Sequence, residues 1–133
     1  MLVIDTNIWV SYALNRKGSI AIKLKSVINQ QNYAFSDATF RELTEVLLRE
    51  KFDSYFSKEL RVQILRKLAR SAEWFNPTET VTACRDLKDN KFLELAIASN
   101  AIAIITGDQD LLILNPYRNI RVVTILDFPF DNA

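Results

Sequence analysis

Short apolar runs, each ending at polar punctuation, set the tightest limit on how this chain can fold. Leu2-Val3-Ile4 runs into Asp5-Thr6-Asn7, Tyr33-Ala34-Phe35 into Ser36-Asp37, and Ala103-Ile104-Ile105-Thr106 into Gly107-Asp108. Val122-Val123-Thr124-Ile125 is followed by Leu126-Asp127, and Trp74-Phe75 stops at Asn76-Pro77. Runs this short cannot make stable helices; they read as strands buried on both faces. Between them lie stretches with helical apolar spacing. The spacing predicts helices over 8–14, 20–30, 38–49, 58–71 and 90–99, with Asp5 or Thr6, Ser36-Asp37 and Ser57 as start signals and Asn100 as a stop. Strands alternating with amphipathic helices predict an α/β domain with a mostly parallel central sheet of about five strands. At 133 residues the chain is expected to form a single domain, 1–133.

The residue inventory excludes several chemistries. There is no histidine, so Ser-His-Asp triads, histidine-bound zinc and histidine acid–base catalysis are out. Two glycines, Gly18 and Gly107, cannot build a P-loop or a G-x-G-x-x-G turn. A lone cysteine, Cys84, rules out an intrachain disulfide and predicts a reduced, cytoplasmic setting. No apolar stretch reaches the ~18 residues needed to span a bilayer, so no membrane partner is expected. With 17 basic and 16 acidic residues the chain is not polybasic. Any nucleic-acid contact must therefore rest on a local patch or on metal ions.

The acids fall where such a fold gathers ligands. Sites in open parallel sheets lie beyond the carboxyl ends of the strands. Asp5 follows the first strand; Asp108, then Asp110, follow the strand ending at Thr106. Asp89 opens the helix before that strand, so it joins them only if that helix starts at the same edge. On the helix of 38–49, Glu42 lies ~110° from the apolar centre, on the flank of the buried stripe, whereas Glu45 lies ~170° away and faces solvent. Asp5, Glu42, Asp89 and Asp108 held close together would repel unless a hard cation sat among them. Oxygen-only donors favour Mg²⁺ or Mn²⁺ over zinc.

These motifs resemble those of PIN-domain nucleases, in order and over nearly the whole chain. Val-Ile-Asp-Thr-Asn-Ile-Trp-Val at 3–10 resembles the family's opening motif. Ser36 to Phe52, with Glu42-Leu43, resembles the second motif, Cys84 to Ala96 the third, and Ile105-Thr106-Gly107-Asp108-Gln109-Asp110-Leu111-Leu112 the fourth. The wording is most similar to the bacterial branch of toxin components of toxin–antitoxin pairs. The resemblance implies a PIN-like three-layer α/β/α sandwich and a metal-dependent endoribonuclease. It implies that Asp5, Glu42, Asp89 and Asp108 are catalytic and hold one or two Mg²⁺ or Mn²⁺ ions, with Asp110 as an auxiliary acid. Thr6, Asn7 and Thr106 would orient these carboxylates by hydrogen bonds. It further implies an RNA substrate, a cognate antitoxin and a homodimer.

Other readings compete at single positions. Asp5 and Asp89 could serve as helix caps alone. Glu94 is expected on a solvated polar face. Trp9, Phe35, Phe40, Trp74 and Phe92 are expected in the core rather than as base-stacking platforms. Arg61, Arg66, Lys67 and Arg70 on the helix of 58–71 form either a solvated side or a face for RNA phosphates. A housekeeping RNA-processing enzyme, a PIN-fold protein that binds without cleaving, and a receiver-type phosphoacceptor module are alternatives. The receiver type fits poorly: it needs adjacent acids after its first strand and a lysine after its last.

Overall fold

A computed structural model describes residues 1–129; the last four residues of the expected domain lie outside the described residues. Five strands occur, as expected from the apolar runs, but each is only two or three residues long. β1 (Leu2–Ile4) leads into α1 (Thr6–Leu14) and α2 (Ser19–Gln30), and β2 (Ala34–Phe35) into α3 (Asp37–Leu47) and α4 (Lys58–Ser71). β3 (Glu73–Trp74) is followed by a long irregular stretch and α5 (Asn90–Ala98). β4 (Ala103–Ile105), a short α6 (Gln109–Leu112) and β5 (Arg121–Val123) complete the order. The one-turn α6 is absent from the sequence expectation; four residues carry too little periodicity to reveal it.

All pairings between the five strands are parallel. β4 lies between β1 and β5 in a three-stranded sheet, with Ile4 opposite Ile105 and Ile105 opposite Val123. β2 and β3 pair separately, and a single parallel bridge from Leu2 to Tyr33 joins this ribbon to β1. The strands thus follow the order β3-β2-β1-β4-β5. The chain leaves β1 toward β2 on one side and β4 toward β5 on the other. The crevice between β1 and β4 is therefore the switch point where parallel sheets place their ligands.

Alternation along the strands divides the core into two layers. Leu2, Ile4, Ala103 and Ile105 face α1, α2, α3 and α4, joined by Trp9, Leu24, Val27, Leu43, Leu47 and Leu65. Val3, Ala34, Ile104 and Val122 face the other way, onto Phe92, Leu93, Leu95 and Ala96 of α5 and Leu111 of α6. Helices on both faces make the three-layer α/β sandwich. Local signals place the helix ends. Ser36 caps α3 in a reciprocal box with Thr39, Ser57 accepts from the Leu60 amide at the start of α4, and Asn100 leaves α5 in the left-handed region at φ 53°.

Three side chains depart from the sequence expectation. Arg61 is fully buried and cannot offer its charge to RNA phosphates. Its guanidinium donates to the Leu47 carbonyl at 2.9 Å, to the Arg49 carbonyl at 3.1 Å and to the Asp53 carboxylate. It thus closes the carboxyl end of α3, where helix carbonyls lack partners. Trp74 is not a core residue: it is 45% exposed on the edge strand, leaning on Phe35 and Phe40, with its indole N–H given to the Ala69 carbonyl. Glu94 is not simply solvated; its Oε2 accepts from the Val81 amide at 2.9 Å and ties down the irregular stretch before α5.

Replacing Arg61 by Ala is expected to cost about 3 kcal/mol of stability, because two carbonyls lose their donor and a cavity opens. Arg66→Ala on the exposed face of the same helix should stay within about 0.5 kcal/mol of wild type. Urea denaturation midpoints check both values, and equal midpoints would contradict the structural role of Arg61.

Candidate metal centre

β1 and β4 end side by side, and both chains carry polar residues just past that edge. The Asp5 amide donates to the Ile105 carbonyl at 2.9 Å, extending the ladder by one residue. Asp5 occupies the position before α1, yet its carboxylate makes no capping bond to the helix. It is buried and accepts instead from the Thr106 hydroxyl at 2.6 Å. Thr106 in turn accepts from the Asp108 amide at 3.0 Å, so one hydroxyl connects both strand ends. Asp108 caps α6 by accepting from the Asp110 amide at 2.8 Å.

Glu42 arrives from α3 across the crevice. One of its carboxylate oxygens accepts from the Thr6 hydroxyl; the other pairs with the Lys91 ammonium at 3.1 Å. The flank position read from the helical angles is thus a position facing the start of α1. Asp89 ends a tight turn, Leu87–Asp89, immediately before α5. The Asp86 carboxylate holds that turn through the Lys88 amide, and Asp89 itself makes no capping bond. Asn90 fixes the approach by accepting from the Cys84 amide at 2.8 Å.

The electrostatics show which acids share the pocket. Burial raises the Asp5 pKa above its ordinary value; the Thr106 hydrogen bond opposes this, and the charges of Glu42 and Asp108 add to it. Asp89 is pushed up to about 7, first by burial, then by a hydrogen bond and repulsion from Asp108, with Asp5 and Asp86 contributing. The charge of Asp108 thus acts on both Asp5 and Asp89. The structure thus relates Asp5, Glu42, Asp89 and Asp108 through one acidic pocket, with Thr6 and Thr106 as hydroxyl supports. Asn7 is exposed and makes no side-chain hydrogen bond among the described residues. Arg66, Lys67 and Arg70 are exposed on α4, and none forms an ion pair with a pocket acid.

Two side chains in this site escaped sequence reading. Lys91 pairs with Glu42 although 49 residues separate them. Asn90 anchors the stretch before Asp89. The available signal was their place in the first turn of α5, directly after the acid; their partners are distant in sequence and gave none.

The donor set fits a hard divalent cation. It offers oxygen ligands only, and the Asp89 Oδ2 atom is buried with no hydrogen-bond partner. Among the described residues, no three acids already close around one point at ligand distance.

The Asp89 environment has a consequence for stability without metal. In the folded chain this carboxyl holds its proton up to about pH 7; unfolded, it releases it near its ordinary value of 3.8. Between these limits the folded state binds more protons, so each step upward in pH favours unfolding. In EDTA, Asp89→Asn is expected to exceed wild type in stability at pH 8 and to lose most of that advantage by pH 5. Denaturation at the two pH values measures the gap; an equal gap at both would refute it.

Comparison with known proteins agrees with the fold. The chain is 37% identical over 117 residues to an uncharacterized protein of Methanocaldococcus jannaschii, covering 85% of this chain and 74% of that protein. Its fold is similar to a chain in the crystal structure of VapBC2 from Rickettsia felis bound to a DNA fragment from their promoter. The TM-score is 0.58 at 17% identity, over 91% of this chain and 96% of that one. A family model described as "PIN domain" matches residues 1–110. This match, over most of the chain, makes it a member of the PIN-domain family, a family of nucleases.

Proposed function

We propose that this chain is a metal-dependent endoribonuclease that hydrolyses RNA phosphodiesters. The observation that carries the proposal is the buried, unpartnered Asp89 oxygen in a pocket with Asp108 and Asp5. A protein has little reason to bury and cluster carboxylates unless a cation satisfies them. In this reading Asp5, Glu42, Asp89 and Asp108 hold one or two Mg²⁺ or Mn²⁺ ions, and Asp110 supports Asp108 from the first turn of α6. When bound, such an ion lowers the pKa of water and stabilises charge on the scissile phosphate.

The chain's own groups account for the rest. Thr106 holds the Asp5 carboxylate and Thr6 holds that of Glu42, so both acids are aimed before substrate arrives. The absence of histidine is then no obstacle, because the chemistry needs no protein nucleophile. In-line attack by water would leave a 5′-phosphate and a 3′-hydroxyl. Single-stranded or looped RNA suits an open crevice better than A-form duplex, whose major groove is too narrow to read. Arg66, Lys67 and Arg70 offer a basic stripe on which flanking phosphates could rest.

The cellular role we infer is that of the toxin in a type II toxin–antitoxin pair, acting as a cytoplasmic, single-domain homodimer that a cognate antitoxin restrains. The VapBC2 likeness supports this reading at the level of fold. No helix among the described residues is long and apolar enough to cross a membrane.

Asp5→Asn, Glu42→Gln, Asp89→Asn and Asp108→Asn are each expected to slow RNA cleavage by at least about 10²-fold in Mg²⁺ or Mn²⁺. EDTA should abolish cleavage, and Asp110→Asn should have a smaller effect. End-labelled RNA with mapping of the product termini tests this. Undiminished cleavage by the four variants, or full activity in EDTA, would sink the proposal. Growth arrest when the chain is expressed alone, relieved by a co-purifying small protein, separates a toxin from a housekeeping nuclease.

A further inference from the structure

Lys91 is the one basic side chain that forms an ion pair with a pocket acid among the described residues; the other two ion pairs, Arg61–Asp53 and Arg118–Glu79, lie elsewhere. A lysine on a helix ordinarily extends its ammonium into water. Here the side chain turns inward and is only 22% exposed, against a Glu42 side chain that is 25% exposed. It starts from the second residue of α5, two residues after Asp89, and ends on the Oε1 atom of Glu42 at 3.1 Å. The second oxygen of Glu42 is held by Thr6, so Glu42 is clamped from two elements at once. Of the four pocket acids, Glu42 alone forms an ion pair among the described residues.

Resting on the reading of the pocket as a cation site, we propose that Lys91 is a positioning residue that stands in for the divalent ion. In the metal-free protein its ammonium keeps Glu42 seated against Thr6 and offsets the charge of that carboxylate. The same charge opposes an incoming ion, because a divalent cation next to Glu42 must approach to within a few ångströms of Lys91. Lys91 therefore sets how much free metal the protein needs, holding the affinity below what four carboxylates would otherwise provide.

The test is Mn²⁺ binding to the full chain, followed by calorimetry or by the loss of the free-ion electron spin resonance signal, so no cleavage is read. Lys91→Met keeps the apolar stem and removes the charge. It is expected to raise the Mn²⁺ association constant on the order of tenfold, the size expected for one unit charge near a divalent ion in a wet site. Lys91→Arg should stay within about twofold of wild type, since it keeps the charge. Lys91→Gln provides a second neutral variant should the methionine protein fail to fold. A lysine that only joins two helices would leave affinity unchanged or lower it on removal, so unchanged or weaker binding in the neutral variants overturns the proposal. Loss of Mn²⁺ binding in Glu42→Gln together with unchanged binding in Lys91→Met would overturn the role of Lys91 and leave the nuclease reading standing. Absence of Mn²⁺ binding in wild type and neutral variants alike would overturn both.

Discussion

Repulsion among partly buried carboxylates at the end of β1 and β4 is the constraint around which this molecule is arranged. Each acid has a different answer to it. Asp5 leans on the Thr106 hydroxyl, Glu42 is held between Thr6 and Lys91, and Asp89 keeps a proton up to about pH 7 beside Asp108. These are weak or reversible remedies. A hydroxyl donates a single hydrogen bond, a proton departs as pH rises, and an ammonium can swing away. A fold seeking only stability would place apolar groups here, since burying charge without full compensation costs more than it returns. In the function proposed above, the pocket is a place kept ready for a charge from outside.

The backbone supports this readiness with little material. Three-residue strands are too short to carry a functional surface, but their parallel register sets Ile4 level with Ile105. The next residues, Asp5 and Thr106, are then neighbours by construction. The switch in strand order at β1 and β4 opens a crevice there, and helices on both faces can reach into it. α3 delivers Glu42 from one layer; the turn before α5 delivers Asp89, and α5 delivers Lys91, from the other. The buried Arg61, far from being a contact for RNA, closes the far end of α3 and so steadies the helix that carries Glu42.

The membership of the PIN-domain family and the similarity of fold to VapBC2 bear on different parts of this picture. The family match covers the residues that build the crevice, from β1 through Asp110. The structural likeness extends over nearly all of both chains at low identity, which is the pattern of a shared scaffold. The exposed basic stripe on α4 and the exposed Trp74 on the edge strand carry none of the pocket carboxylates.

Much was legible in the chain itself because the signals are local. A run such as Leu2-Val3-Ile4 ending at Asp5 marks a buried strand and a polar edge within four residues. The helical angle of Glu42 needs only its own turn of helix. The absence of histidine limits the donors to oxygen wherever the chain folds. What tertiary structure decided depends on neighbours distant in sequence. Arg61 reads as one more basic residue on a basic helix, and only the carbonyls of Leu47 and Arg49 make it a buried clamp. Trp74 has core composition but stands on an edge strand with no further strand beyond it among the described residues. Lys91 looks like a surface lysine until α3 sets Glu42 beside it. Periodicity reports which side of an element is apolar; which charge meets which is settled only when the layers pack, because electrostatic partners are chosen by distance in space.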